Sequence, residues 1–248
     1  MDESLEGRTA LVTGAARRVG AAIARRLHAA GMNVLIHFRA SAADAQALEA
    51  ELNGVRPGSA ARAQADLLDA GAPASLVEAA LARFGRLDLL VNNASAFYPT
   101  PMGAVAPGQW DELVGSNLRA PLFLAQAAAP HLARGKGAIV NITDIHAERP
   151  LKDYVVYSIA KAGLAALTRS LALELGPDVR VNAVAPGAIA WPEDGQFPGA
   201  ERKRIVETTP LGRIGAPEDI ARVVEFLARA PFVTGQTVAA DGGRSVFL

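Results

Sequence analysis

Tyr157 and Lys161 stand four residues apart in the stretch YVVYSIAKAGLAALTRSLALEL. That spacing is about one helical turn, so the two side chains share a face and Ser158 does not. An ammonium beside a phenol favours the phenolate, and such a pair can pass a proton while a hydride moves. Thirteen residues before the tyrosine lies the carboxylate of Asp144. An ionised carboxylate opposes the lysine. A unit charge about 4 Å away at an effective dielectric of 20 is worth roughly 4 kcal/mol before screening, whereas one pKa unit corresponds to about 1.36 kcal/mol. A fraction of that energy would keep Tyr157 protonated and able to act as an acid, with the three groups titrating as a coupled set.

A second group of residues is suited to phosphate. ALVTGAARRVGAAIARRL places Gly14, Arg17, Arg18 and Gly20 at a strand-to-helix turn. Glycines there let the backbone approach a pyrophosphate, and the free N–H groups of the helix N-terminus stabilise its charge. The two guanidiniums call for more negative charge than a bare pyrophosphate supplies. The next strand, NVLIHFRAS, ends without the acid that would bond a ribose 2′-hydroxyl and offers His37, Arg39 and Ser41 instead. This pattern points to a 2′-phosphate, and so to NADPH rather than NADH.

These residues need a scaffold that brings strand ends and helix starts to one edge. ALVTG (10–14), NVLIH (33–37), LDLLVN (87–92), GAIVNI (137–142) and VRVNAVAP (179–186) read as strands buried on both faces, alternating with amphipathic helices. In the first helix Ile23 and Leu27 share a face, and Gly31 is placed to end it. The order argues for a doubly wound α/β sheet with helices on both faces. No linker divides the 248 residues, so a single domain over 1–248 is expected. The segment 186–203 carries three prolines and three glycines, which makes a long helix there unfavourable and points to a substrate loop at about 187–203.

Composition narrows the partners. The 25 basic and 25 acidic residues cancel, so no overall field draws the chain to nucleic acid or anionic lipid. No apolar run approaches the roughly 20 residues of a membrane span. The start MDESLEGRTA is too acidic and polar for a signal peptide, and a cytoplasmic location is expected. With no cysteine and four histidines without ligand-like spacing, no metal is expected. A small-molecule substrate is the expected partner.

The motifs TGAARRVG, DLLD, NNAS, GSNLRAP, Tyr157 with Lys161, VRVNAVAPG and the closing DGG occur in an order and spacing that resembles the short-chain dehydrogenase/reductase family. The resemblance covers almost the whole chain and implies a Rossmann-like domain with a seven-stranded parallel sheet, usually assembled as a homotetramer. It implies a catalytic set of Asn117, Asp144, Tyr157 and Lys161. It also implies cofactor contacts from Gly14, Arg17, Arg18, Gly20, His37, Arg39, Ser41, Asp66, Leu67, Asn93, Ala94, Lys161, Pro186 and Gly187.

Within that family the chain is most similar to the pteridine reductases. The likeness rests on Arg18 in place of a glycine, on HFRASAADA, on NNASAFYPTP and on Asp144, where relatives acting on alcohols and ketones generally carry serine. It implies that Phe97 stacks on a pterin ring, that Arg18 reaches the pterin, and that Asp144 and Tyr157 border it. Ser95 is suited to the cofactor or to the pterin amino group. Trp191 has two readings, a wall of the substrate pocket or a lid residue packed on the protein. The activity expected is NADPH-dependent reduction of pterins, with dihydrofolate or folate included. The alternatives are reduction of a ketone such as a 3-oxoacyl group and a non-catalytic dinucleotide sensor.

Overall fold

Alternation along the strands decides the layers. In the computed structural model, which describes residues 4–191 and 198–247, the strands are β1 (Thr9–Val12), β2 (Asn33–Phe38), β3 (Ala60–Gln64), β4 (Leu89–Asn92), β5 (Ala138–Ile142), β6 (Arg180–Pro186) and β7 (Thr237–Ala240). Ala10 and Val12 of β1 enter one core while Leu11 enters the other, and Leu89 and Val91 of β4 part from Leu90 in the same way. A strand with apolar side chains on both faces has to be covered on both, which is why these segments read as continuous apolar runs.

The seven strands form one all-parallel sheet in the order β3-β2-β1-β4-β5-β6-β7, a Rossmann-like α/β fold. One face is covered by α1 (Arg18–Ala29), α2 (Ala42–Val55) and, further along the chain, the helix Pro217–Arg229. Ile23, Leu27, Leu48, Ile220 and Val224 share that core. The other is covered by α3 (Ala72–Phe84) and, after α4 (Pro107–Val114), by α5 (Ala120–Arg134), through Leu76, Val77, Leu124 and Leu132. Then α6 (Val155–Leu175) carries Tyr157 and Lys161.

Helix α1 ends as its sequence requires. Gly31 adopts φ +99°, its N–H donates to His28 O at 3.0 Å, and the Met32 N–H donates to Leu27 O at 3.1 Å, closing the last turn. The segment expected to stay irregular through Lys203 does so only in part. Gly199–Glu207 form α7, because Glu201, Arg202, Lys203 and Arg204 are good helix formers once Pro198 has been passed. The expected loop also includes residues 192–197, which lie outside the described residues. No helix of the described residues is long and apolar enough to cross a membrane.

Parallel strands send their carboxyl ends to one edge, and the order reverses between β1 and β4, where a crevice opens. Packing at that crevice is close. A Cβ on Gly20 would lie 2.1 Å from Gly14 O and 2.7 Å from Asn93 Nδ2. Gly20→Ala is therefore expected to destabilise the fold by about 1–3 kcal/mol. Urea denaturation of the two proteins measures this, and an unchanged midpoint would refute the close packing.

Candidate active site

The site is built from strand ends upward. Asn92 at the end of β4 donates from Nδ2 to Asn141 Oδ1 of β5 at 2.8 Å, and Asn141 Nδ2 donates to Thr168 Oγ1 of α6 at 2.9 Å. This buried chain of amides ties α6 to the centre of the sheet. After β5, Asp144 opens a single 3₁₀ turn, its Oδ1 accepting the His146 N–H at 2.8 Å. That bond fixes the carboxylate so that Oδ2 meets Tyr157: the phenol donates to it at 2.7 Å.

Lys161 lies one turn further along the helix, 2% exposed, and its Nζ donates to Ile142 O at 2.9 Å. The ammonium stands 5.6 Å from the centroid of the Tyr157 ring. Burial pulls the Lys161 pKa down to about 8, with the Asp144 charge acting the other way. Tyr157 is pushed well above its ordinary value, first by burial, then by the charge of Asp144 and by their hydrogen bond. Lys161 and Asp144 act on the phenol in opposite directions. In the folded protein the largest effect is the removal of the phenol from water, which disfavours the charged form whatever its neighbours.

A cleft of about 400 Å³ lies at the crevice and is lined by Gly14, Arg17, Arg18, Gly20, His37, Arg39, Asp66, Leu67, Asn93, Ala94 and Ser95 from the expected set. Val19, Leu68, Ala96 and Ser116 complete it and were not anticipated. Its floor is held by Thr13, whose Oγ1 accepts the Asn93 and Ala94 N–H groups at 2.9 and 3.0 Å. Asn93 Nδ2 in turn donates to Thr13 O and Gly14 O at 2.8 and 3.1 Å. These residues fit a dinucleotide: the start of α1, flanked by two arginines, faces a crevice where backbone can approach a pyrophosphate.

Of the residues expected at the cofactor, His37 lines the cleft with its ring held by backbone, Ser41, Lys161 and Pro186 lie outside its lining, and Gly187 lines a neighbouring cavity. His37 has both ring nitrogens occupied by backbone. The Gly14 N–H can only donate, so Nδ1 accepts it at 3.1 Å, and Nε2 carries the proton that goes to Ala65 O at 3.1 Å. Burial lowers its pKa and keeps that neutral tautomer. His37 thus braces the phosphate loop from beneath. Ser41 occupies the N-cap position of α2 and is absent from the lining of the cleft.

Arg39 lines the cleft with its guanidinium 3.9 Å from Glu112 Oε1. The other oxygen of Glu112 accepts the Tyr98 hydroxyl at 2.9 Å, and burial followed by Glu112 pushes Tyr98 up to about 12. Asn117 lies in a π-helical turn, Gly115–Arg119, between α4 and α5. Its Nδ2 donates to Ala96 O and Leu113 O, and its Oδ1 accepts the Ser95 hydroxyl at 2.7 Å. It holds the loop after β4 in place and makes no bond to Tyr157 or Lys161.

A second cavity, of about 230 Å³, adjoins the first and shares Arg18 with it. Phe97, Asp144, Tyr157, Gly187 and Trp191 line it, as do His146, Leu151, Glu201, Ile205 and Arg244, which the sequence reading missed. Phe97 stacks on Tyr154 at 4.6 Å and makes an edge-to-face contact with Tyr157 at 4.8 Å, which fixes its ring beside the phenol. Trp191 meets both of its readings, lining the cavity while Arg202 sits 5.2 Å over its ring. Pro186 closes β6. Gly187 beyond it has no room for a side chain, since a Cβ would lie 2.8 Å from Asp241 Cα.

Arg18 stands where a glycine is usual and keeps a glycine's backbone, with φ +51°. For a residue with a Cβ this costs roughly 1–2 kcal/mol. Its Nη2 donates to Ala190 O at 2.7 Å, and Ala190 has φ +46°.

A family model described as enoyl-(acyl carrier protein) reductase matches residues 14–245. The chain belongs to the short-chain dehydrogenase/reductase family. It is 40% identical to pteridine reductase 1 of Leishmania tarentolae, over 96% of each chain. It is 36% identical to a 3-oxoacyl-[acyl-carrier-protein] reductase of Synechocystis sp., over 98% of this chain and 99% of that one. It is 35% identical to 3beta-hydroxysteroid dehydrogenase 1 of Eggerthella lenta, over 100% of this chain and 97% of that one. Oxidoreduction with a nicotinamide dinucleotide is the chemistry of this family.

The Tyr157–Asp144 pair can be read spectroscopically. Asp144→Asn removes the charge that resists the phenolate, so the Tyr157 pKa should fall, while burial still holds it above the free value. Alkaline titration of phenolate absorbance, with Tyr157→Phe as the blank, measures the shift. A higher pKa in the Asn protein would reverse the assignment of charge.

Proposed function

We propose that the protein is an NADPH-dependent reductase of pterins, converting dihydropterins to tetrahydropterins and accepting dihydrofolate or folate as well. The observation that carries this reading is the carboxylate of Asp144 taking the hydroxyl of Tyr157. NADPH, when bound, supplies the hydride. When the ring carbon of a pterin C=N bond accepts it, the neighbouring nitrogen needs a proton, and Tyr157 holds one at its hydroxyl. The raised pKa keeps that proton in place at neutral pH. Asp144 orients the phenol and, as an acceptor, suits the N–H donors of a pterin. Lys161 sits behind the phenol, within reach of a cofactor ribose. Phe97 lines the cavity and brings an aromatic ring to a flat heterocycle, and Arg18 lines both cavities.

The similarity to a 3-oxoacyl-[acyl-carrier-protein] reductase favours a second reading, reduction of a ketone. Its difficulty is electrostatic. A ketone oxygen gains negative charge as hydride arrives and needs donors around it. Asp144 offers a carboxylate there, which repels that charge.

For the cofactor, Arg17, Arg18 and Arg39 around the cleft support NADPH, with Arg39 at the 2′-phosphate. In this reading residues 1–248 act as one catalytic domain, and Gly187, Trp191 and Glu201 border the substrate. The assembly is a cytoplasmic homotetramer, consistent with the exposed apolar side chains Leu122 and Phe123 on α5 and Ile159 and Leu173 on α6.

Two measurements test this. NADPH oxidation with dihydrobiopterin, dihydrofolate and a panel of ketones should show turnover with the pterins. Tyr157→Phe should lower it about 10²–10⁴-fold with the fold intact. Turnover of ketones alone would overturn the pterin assignment, and a Phe protein with native rates in single turnover would move the proton donor elsewhere. Arg39→Ala should weaken NADPH binding about ten- to hundredfold and NADH binding little, as judged by fluorescence titration. Equal losses for both cofactors would remove Arg39 from the 2′-phosphate.

A further inference from the structure

Arg244 reaches the substrate cavity from the last turn of the chain, and nothing in the reaction described above uses it. Its position is fixed by two events downstream of β6. Gly187 allows the backbone at Asp241 to lie against it, and the Asp241 carboxylate caps the next turn by accepting the Gly243 and Ser245 N–H groups at 2.9 and 2.7 Å. That turn aims Arg244 at the end of α7. Its Nη1 donates to Ile205 O at 3.2 Å and to Thr208 Oγ1 at 2.6 Å. One nitrogen therefore anchors the side chain.

The opposite edge of the guanidinium, formed by Nε and Nη2, meets no acceptor among the described residues. Elsewhere in the protein that same edge holds a carboxylate side-on. Arg25 grips Glu51 with Nε at 2.8 Å and Nη2 at 2.7 Å, and Arg86 grips Asp88 with both at 2.7 Å. Two parallel N–H groups match the two oxygens of a carboxylate better than they match any single acceptor.

The charges around this edge set its preference. Glu201 lines the same cavity and acts on Arg244 at longer range, but no ion pair joins them. Asp241 is occupied by its backbone donors, and Arg204 adds positive charge. Arg18 and His146 also line the cavity, on the side of Asp144 and Tyr157. Arg244 and the Asp144–Tyr157 pair thus line one cavity.

We propose that Arg244 is a specificity-determining anchor for a carboxylate on the substrate's side chain, so that pterins with an acidic tail are bound in preference to those with an uncharged one. This rests on the pterin reading and adds to it the residue that selects the tail. Partial burial makes the anchor stronger than an exposed arginine would be, because a carboxylate arriving there displaces little competing water.

The test compares the native protein with Arg244→Gln and Arg244→Lys, using 7,8-dihydrofolate and 7,8-dihydrobiopterin as substrates and equilibrium binding of folic acid as a readout that needs no turnover. Gln should raise the KM for dihydrofolate and the Kd for folic acid about tenfold, the expected scale for one charge-assisted contact. kcat and the KM for dihydrobiopterin should stay within about twofold. Lys, which keeps the charge and loses the fork, should fall between Gln and native.

A parallel loss for both substrates, with a lowered melting temperature, would make Arg244 a structural support of α7 and overturn the proposal. So would constants unchanged in both variants. Either result with native pterin turnover intact leaves the pterin reading standing. If the native protein neither binds nor reduces any pterin, both fall together.

Discussion

The hydrogen bond from Tyr157 to Asp144 exists because a carboxylate and a phenol are brought together where water is scarce. Everything around it serves that placement. Asp144 is held at one oxygen by a backbone N–H, Tyr157 is held by its helix, and the helix is held to the sheet through Thr168, Asn141 and Asn92. Lys161 is the third member, and its burial has a cost: the ammonium is pulled toward neutrality even with a carboxylate nearby. A scaffold built only for stability would place an apolar side chain there. Buried, strongly perturbed charges of this kind cluster at functional sites.

The difference between a serine and an aspartate at position 144 is a difference in what the site can stabilise. A hydroxyl donates to an oxygen that becomes negative. A carboxylate accepts from N–H groups and keeps a neighbouring acid protonated. The same helix, the same tyrosine and the same lysine can therefore serve either kind of substrate, and one side chain between them sets the direction. Relatives of 35–40% identity include proteins named for a pteridine, a 3-oxoacyl group and a steroid.

Much of the sheet was legible because five of its strands are apolar on both faces. The two outermost strands were not. AARAQ in β3 buries only part of its residues, and TVAA in β7 is short and half-open, so neither stands out from a loop or a helix segment. Local motifs in the site were legible for a similar reason: Tyr157 with Lys161, or Gly14 with Gly20, are spacings within one element or turn. His37 was assigned to the cofactor by its chemistry, while its place beneath the phosphate loop depends on the turn from β1 passing over β2. Arg244 enters the substrate cavity because the chain after β7 passes Gly187 at Asp241, and Ile205 enters it from α7, far from Tyr157 in sequence. No pattern within a window of residues carries that.

Arg18 holds Ala190 from a backbone conformation that is itself unfavourable, and it borders both cavities. Any anion in the first cavity that draws the guanidinium away leaves the Ala190 carbonyl without its donor and alters the wall of the second. Occupancy of one cavity is thereby a term in the affinity of the other, and by linkage the dependence runs equally in both directions. A chain with glycine at this position would relieve the backbone and lose the bond. Its two ligands would then bind without reference to each other through this contact, whereas with arginine the strength of each depends on the presence of the other.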